Sequence, residues 1–123
     1  MIQILTVRDE QQRMALCQKA KILYTSDLHI IANHNEQGEV REGAIFKYEG
    51  DYGEILWLDM GEDIDLADGH GKSILSIMEL RGVKKVIMPG SYDVLAQKLR
   101  FKAEEDHFAV SLEGYFCCGC QHK

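Results

Sequence analysis

Three groups of residues in this sequence have types and spacing that could do chemistry. Cys117 and Cys120 form a C-x-x-C, with Cys118 between them and His122 just beyond. Thiolates and an imidazole are zinc ligands, and Cys118 or Cys17 would make a fourth. Structural zinc takes its ligands as two pairs, however, and no second pair exists outside this tail. The competing reading is a strand. Alternation that begins at Phe108, Val110 and Leu112 and runs to Phe116 puts Cys118 and Cys120 on that apolar face and Cys117 on the other. We expect the strand face to win, so the sequence predicts no metal. The second group is Glu62-Asp63-Ile64-Asp65-Leu66-Ala67-Asp68. Counted from Asp63, a calcium loop needs an oxygen at the fifth position and Glu at the twelfth, and neither is present. A solvated acidic loop is expected there. The third is Gly69-His70-Gly71, read on its own as a strand-to-helix turn that uses glycine freedom.

The composition says what kind of fold must position these groups. At 123 residues, with 46% hydrophobic and 28% charged side chains, the chain predicts one globular domain over 1–123, large enough to bury a core. A formal charge of −6 argues against nucleic acid or an anionic membrane as partner, since both attract a basic face. No apolar run reaches the roughly 20 residues of a membrane span. The N-terminal residues lack the basic flank and apolar stretch of a signal peptide. Cysteines crowded into a tail predict reduced thiols. Together these place the protein in the cytoplasm.

Periodicity supplies the elements. Ile2 to Val7 reads as a strand, and Thr6 or Asp9 as the cap of a helix from about Asp9 to Lys21 with Met14, Cys17 and Ala20 on one face. Leu28 to Ala32 is a short strand, followed by a turn over Asn33 to Gly38. Ala44 to Glu49 alternates at period two, Gly50 to Gly53 turns the chain, and Glu54 to Met60 returns as an antiparallel partner. Ile74, Leu75, Ile77, Met78 and Leu80 mark an amphipathic helix that Gly82 ends. Val83 to Met88 is a strand stopped by Pro89-Gly90, and Ser91 caps a helix carrying Val94, Leu95 and Leu99. Phe108, Val110 and Leu112 close the sheet. The fold class is α/β, equally α+β: a mixed, mostly antiparallel sheet flanked by helices.

A strand, a Gly-x-Gly segment, an amphipathic helix, a strand, a short helix and a Phe-led hairpin, in that order, resemble the acyl-CoA-binding core of the GNAT N-acetyltransferase superfamily. The resemblance runs from about Ala44 to Phe116 and is tightest from Glu54 to Phe101. In that family the strand matching Glu54–Met60 splays from its neighbour and bonds the pantetheine arm. A following Gln/Arg-x-x-Gly-x-Gly/Ala loop holds the pyrophosphate, because free amides and a helix dipole both favour anions. The matching segment here is Leu66 to Ser73. The family's last helix reads Leu-Tyr-x-x-Leu-Gly-Phe, where this chain has Leu95-Ala96-Gln97-Lys98-Leu99-Arg100-Phe101.

The resemblance implies a short, degenerate GNAT-like domain that binds acetyl-CoA or CoA. Leu58 and Met60 would meet the pantetheine, and Gly69, His70, Gly71, Lys72 and Ser73 the pyrophosphate. Its activity would be acetyl transfer to a small-molecule or peptide amine. Such transfer needs a base to strip the ammonium. Asp59 is the candidate, with Glu54 behind it, placed on one strand face with Ile55 and Trp57. Tyr92, one turn before Ala96, is the candidate acid. A catalytically inactive module of the same fold, acting through protein contacts, is the alternative, and a homodimer stays open.

Overall fold

The computed structural model describes residues 3–59 and 64–115. Met60, Glu62, Asp63, Phe116, Cys117, Cys118, Cys120 and His122 lie outside the described residues. So do the expectations that rest on them.

Chain order is β1 (Gln3–Thr6), α1 (Glu10–Ala20), β2 (His29–His34), β3 (Val40–Glu49), β4 (Tyr52–Leu58), α2 (Ile64–Leu80), β5 (Lys85–Pro89), α3 (Asp93–Lys98), β6 (Lys102–Glu104) and β7 (His107–Ser111). The strands form one sheet in the order β1-β2-β3-β4-β5-β7-β6. Every neighbouring pair is antiparallel except β4–β5. That pair is parallel because α2 carries the chain from the end of one strand back to the start of the next. The expected mixed, mostly antiparallel sheet is what forms.

Local chemistry explains several boundaries. Asp9 caps α1, its carboxylate accepting the Gln12 amide at 3.0 Å. Gly82 follows α2 at φ 85°, a left-handed conformation that costs glycine little. At the end of α3, Arg100 holds φ 64°, where a side chain is strained. Its guanidinium answers by stacking over the Tyr115 ring at 4.1 Å and donating to the Tyr115 carbonyl at 3.0 Å.

Period-two alternation divides the core between the two faces of the sheet. On one face α1 packs Leu16 and Cys17 against Val7, Ile30, Ala32 and Ile45. On the other, α2 and α3 pack Ile74, Leu75, Met78, Leu95 and Leu99 against Ile31, Ala44, Phe46, Ile55 and Leu58. β2 is buried on both sides and accordingly reads as a nearly continuous apolar run.

Several details differ from the expectations: Leu80 and Val94, expected on the apolar faces of their helices, are exposed at 80% and 60%, and Tyr52 and Gly53, expected in the turn, already belong to β4. Met14 is half exposed, and Leu16 joins Cys17 on the inward face of α1. Asn33 and His34, expected in a turn, continue β2 because β1 and β3 pair on either side of them. Tyr92 rather than Ser91 precedes α3, with no side-chain cap bond. The largest change is that Asp65, Leu66, Ala67 and Asp68 of the acidic segment, together with Gly69-His70-Gly71, are helix rather than loop.

Candidate active site

The site begins with one extra residue in β4. Ile45 pairs with Trp57 but the next residue, Phe46, pairs with Ile55, so Leu56 has no partner on β3. A bulge of this kind bends the strand and raises its twist. It also reverses the faces beyond it. Ile55 packs with the α2 and α3 side, whereas Trp57 packs with the α1 side. Asp59 therefore does not share a face with both, as simple alternation predicted.

The bend opens the sheet. β4 pairs with β5 only through Tyr52, Gly53 and Glu54, opposite Lys85, Val86 and Ile87. Ile55 to Leu58 have no β5 partner, while β5 runs on to Pro89 against β7. A cleft follows between the carboxyl ends of two parallel neighbours, with β4 backbone groups directed into it.

Tyr92 sits in that cleft. Its hydroxyl accepts the Leu58 amide at 3.0 Å and donates to the Leu58 carbonyl at 3.2 Å. One phenol thus satisfies both groups that a neighbouring strand would have taken. Burial pushes the Tyr92 hydroxyl up in pKa, and the negative charge of Asp59 pushes the same way. The next residue, Asp59, anchors its amide on the Gly43 carbonyl at 2.9 Å. Its carboxylate meets the Lys19 ammonium of α1 at 2.7 Å, with the Asp59 side chain 12% exposed and that of Lys19 56%. The structure brings Asp59 and Tyr92 to the same end of β4.

Gly69, His70, Gly71, Lys72 and Ser73 are placed otherwise. They occupy the second and third turns of α2, where each amide bonds the carbonyl four residues back. These amides are not free to cradle an anion. Gly71 is instead a packing residue, since a Cβ there would stand 2.5 Å from Leu99 Cδ1. Lys72 pairs with Asp68 at 3.0 Å, one turn before it. His70 is fully buried, its Nε2 2.7 Å from Asn33 Oδ1. Asn33 is fully buried too, and its Nδ2 donates to Glu42 Oε1 at 2.9 Å. Sequence reading missed Asn33 and Glu42, whose only signal was polarity inside a β-rich run. Lys19 was missed as well, for it lies 40 residues from Asp59.

A shallow groove of about 460 Å³ lies across β5, β6 and β7, lined by Lys84, Lys85, Arg100 and Lys102. None of the candidate residues borders it. Among the described residues, no three His, Cys, Asp or Glu side chains gather as a metal would need.

The geometry can be set against solved structures. The ribosomal-protein-S18-alanine N-acetyltransferase of Escherichia coli superposes with a TM-score of 0.69 over 91% of this chain and 94% of its own, at 12% identity. The fold is that of the GNAT acyl-CoA N-acyltransferases. The GNAT-family protein YhbS of E. coli, solved in complex with CoA, matches at TM-score 0.66 and 11% identity, over 93% of this chain and 83% of that one. The spermidine/spermine N-acetyltransferase SpeG of Vibrio cholerae gives 0.67 and 8%, over 96% and 98%. No family model matches the sequence, and no curated protein does. At such identities the likeness is one of GNAT fold, carried by backbone rather than by shared side chains.

Proposed function

We propose that this GNAT-fold protein binds acetyl-CoA in the β4–β5 cleft and transfers the acetyl group to a primary amine. The observation that carries the reading is the bulge at Leu56 with the splay beyond it, which leaves the Leu58 amide and carbonyl to a side chain. A pantetheine arm contains amides that can take the same two bonds once the Tyr92 phenol swings away. Leu58 is the backbone contact. The pyrophosphate contact moves from Gly69–Ser73 toward the amino end of α2, where the helix dipole favours an anion. Asp65 stands in the first turn, 3.6 Å from Lys98.

Bound acetyl-CoA supplies an activated carbonyl and a thiol leaving group. Asp59 is the base that takes a proton from the incoming ammonium. Tyr92 is the acid that returns a proton to sulfur, a role suited to a phenol that burial keeps neutral. The solved neighbours named as a ribosomal-protein-S18-alanine and a spermidine/spermine N-acetyltransferase support an amine as acceptor. No described helix is long and apolar enough to cross a membrane, and the buried free thiol of Cys17 fits the reducing cytoplasm proposed from the sequence.

Isothermal titration with CoA tests the reading. Binding in the micromolar range, strengthened in Asp65→Asn as a repulsive carboxylate is removed, is the expected result. An absence of heat at millimolar CoA would remove it. One observation favours the second reading, an inactive interaction module. Ala96 stands in the family's Tyr position, and the Tyr92 phenol already fills the slot. Such a module would work through α1 and the segment after it, where Met14 is 50% and Leu23 85% exposed beside an open groove of about 560 Å³.

A further inference from the structure

We propose that Lys19 is itself an acyl acceptor, so that the protein acetylates its own α1 in cis. The inference rests on the acetyl-CoA reading above and names a substrate for that same site. Its ground is the Lys19–Asp59 contact. The carboxylate best placed to deprotonate an acceptor amine holds a primary ammonium at 2.7 Å, and that ammonium belongs to the chain.

The surrounding structure supports a substrate over a permanent clamp. Leu58 faces α2 and α3, and Asp59, one residue later, faces α1. A thioester held along the cleft would be met from the α1 side of the sheet, and Lys19 is the amine at that side. The Lys19 side chain remains 56% exposed. An ion pair with one exposed partner is weak and solvent-screened, so the amine is readily released toward a reaction partner. Lys19 also lies in the last turn of α1, beside the exposed Gln18. Among the described residues, Asp59 is the one polar partner of that side chain.

The step balances without further reagents than an acyl-CoA thioester. Asp59 removes one proton from the Lys19 ammonium, and the neutral nitrogen attacks the thioester carbonyl. A C–N bond forms and the C–S bond breaks. The thiolate leaves with the electron pair and takes its proton from the Tyr92 phenol, which recovers it from solvent. The product amide is uncharged, so the Lys19–Asp59 pair is lost and the last turn of α1 loses one tie to the end of β4, while Leu16 and Cys17 keep the helix packed on the sheet.

The experiment incubates the whole protein with acetyl-CoA and follows each lysine by peptide mass spectrometry, with CoA titrations on the same samples. Lys19 should gain one acetyl group faster than the exposed Lys84 and Lys102, by roughly 10²-fold or more for an intramolecular amine beside its base. Its rate should not change with protein concentration. Asp59→Asn should slow it by about 10²-fold, and Lys19→Arg should keep CoA binding while abolishing the fast phase. A readout independent of transfer is amide exchange in the last turn of α1. Exchange there should quicken in Lys19→Gln without any CoA, and to the same extent in the acetylated protein. CoA binding with Lys19 labelled no faster than Lys84 and Lys102 would overturn this inference alone. A rate rising with concentration would overturn the transfer in cis. No CoA binding would overturn both this and the function on which it rests.

Discussion

His70 and Asn33, far apart in sequence and both fully buried, are joined by a 2.7 Å hydrogen bond whose direction is fixed by a third residue. A carboxylate only accepts, so Glu42 must face the Asn33 amide nitrogen. Asn33 Oδ1 then faces His70, and His70 Nε2 must carry the proton. Nδ1 is left as a buried lone pair with no partner among the described residues.

A pH dependence of stability follows. Charging His70 would add a proton at Nδ1 with nothing to accept it. Burial accordingly pushes the imidazole pKa down, against the opposing charges of Glu42 and Asp59. The unfolded chain binds that proton near pH 6.5 and the folded chain only at lower pH. This contribution to stability is therefore complete above about pH 6.5 and lost as pH falls toward the folded value. His29 is lowered in the same sense, mainly by burial. Urea midpoints between pH 8 and 5 should fall on acidification, with a shallower slope in His70→Leu. That variant should also lose about 1–3 kcal/mol at pH 8, because Asn33 Oδ1 is left unpaired. An equal slope in both proteins would assign the dependence to other groups.

The two glycines of α2 should respond oppositely to alanine. At Gly69 the nearest atom to a new Cβ is Ile4 Cδ1 at 3.8 Å, which is ordinary contact. Gly69→Ala should stabilise by about 0.5–1 kcal/mol through helix propensity. At Gly71 the 2.5 Å approach to Leu99 sits in a filled core. Gly71→Ala should destabilise by about 1–3 kcal/mol, and adding Leu99→Ala should cost less than the two separate losses summed. Chemical denaturation of the four proteins checks this, and two glycines behaving alike would contradict it.

Tyr92→Phe separates occupancy of the cleft from catalysis. Without the hydroxyl the Leu58 amide and carbonyl are open to a ligand, so CoA affinity should rise roughly 2- to 10-fold, the value of about one net hydrogen bond. The acetyl-transfer rate should fall by about 10²-fold as the acid is lost. Calorimetry and a thiol-release assay read the two effects independently. Weaker CoA binding would mean that the phenol holds the ligand instead of excluding it.

Arg100 offers a test of backbone strain. Arg100→Gly loses the Tyr115 contacts but relaxes the φ of 64°. Arg100→Ala loses the same contacts and keeps the strain. The glycine variant should be the more stable of the two by about 1 kcal/mol, read from thermal or urea melts. The reverse order would show that the left-handed conformation is not a cost at this position.

What the sequence determined by itself was whatever depends on neighbours along the chain. A cap for α1 at Thr6 or Asp9, the hairpin joining Ala44–Glu49 to its partner, the Gly82 stop and the alternation of Ala44–Glu49 were legible, because caps, turns and period two are local. The order of those elements was enough to expect the sheet and its class. Tertiary packing decided the rest. Glycine disfavours a helix, and only burial of Ala67, His70, Gly71, Ile74 and Met78 against the sheet makes α2 start before them. The Leu56 bulge is set by pairing to β3 and carries no mark in β4, yet it decides which face Asp59 takes. The Lys19–Asp59 and His70–Asn33 pairs join residues 40 and 37 positions apart. Contacts at such separations exist only once the sheet has closed between them, so no local pattern could announce them.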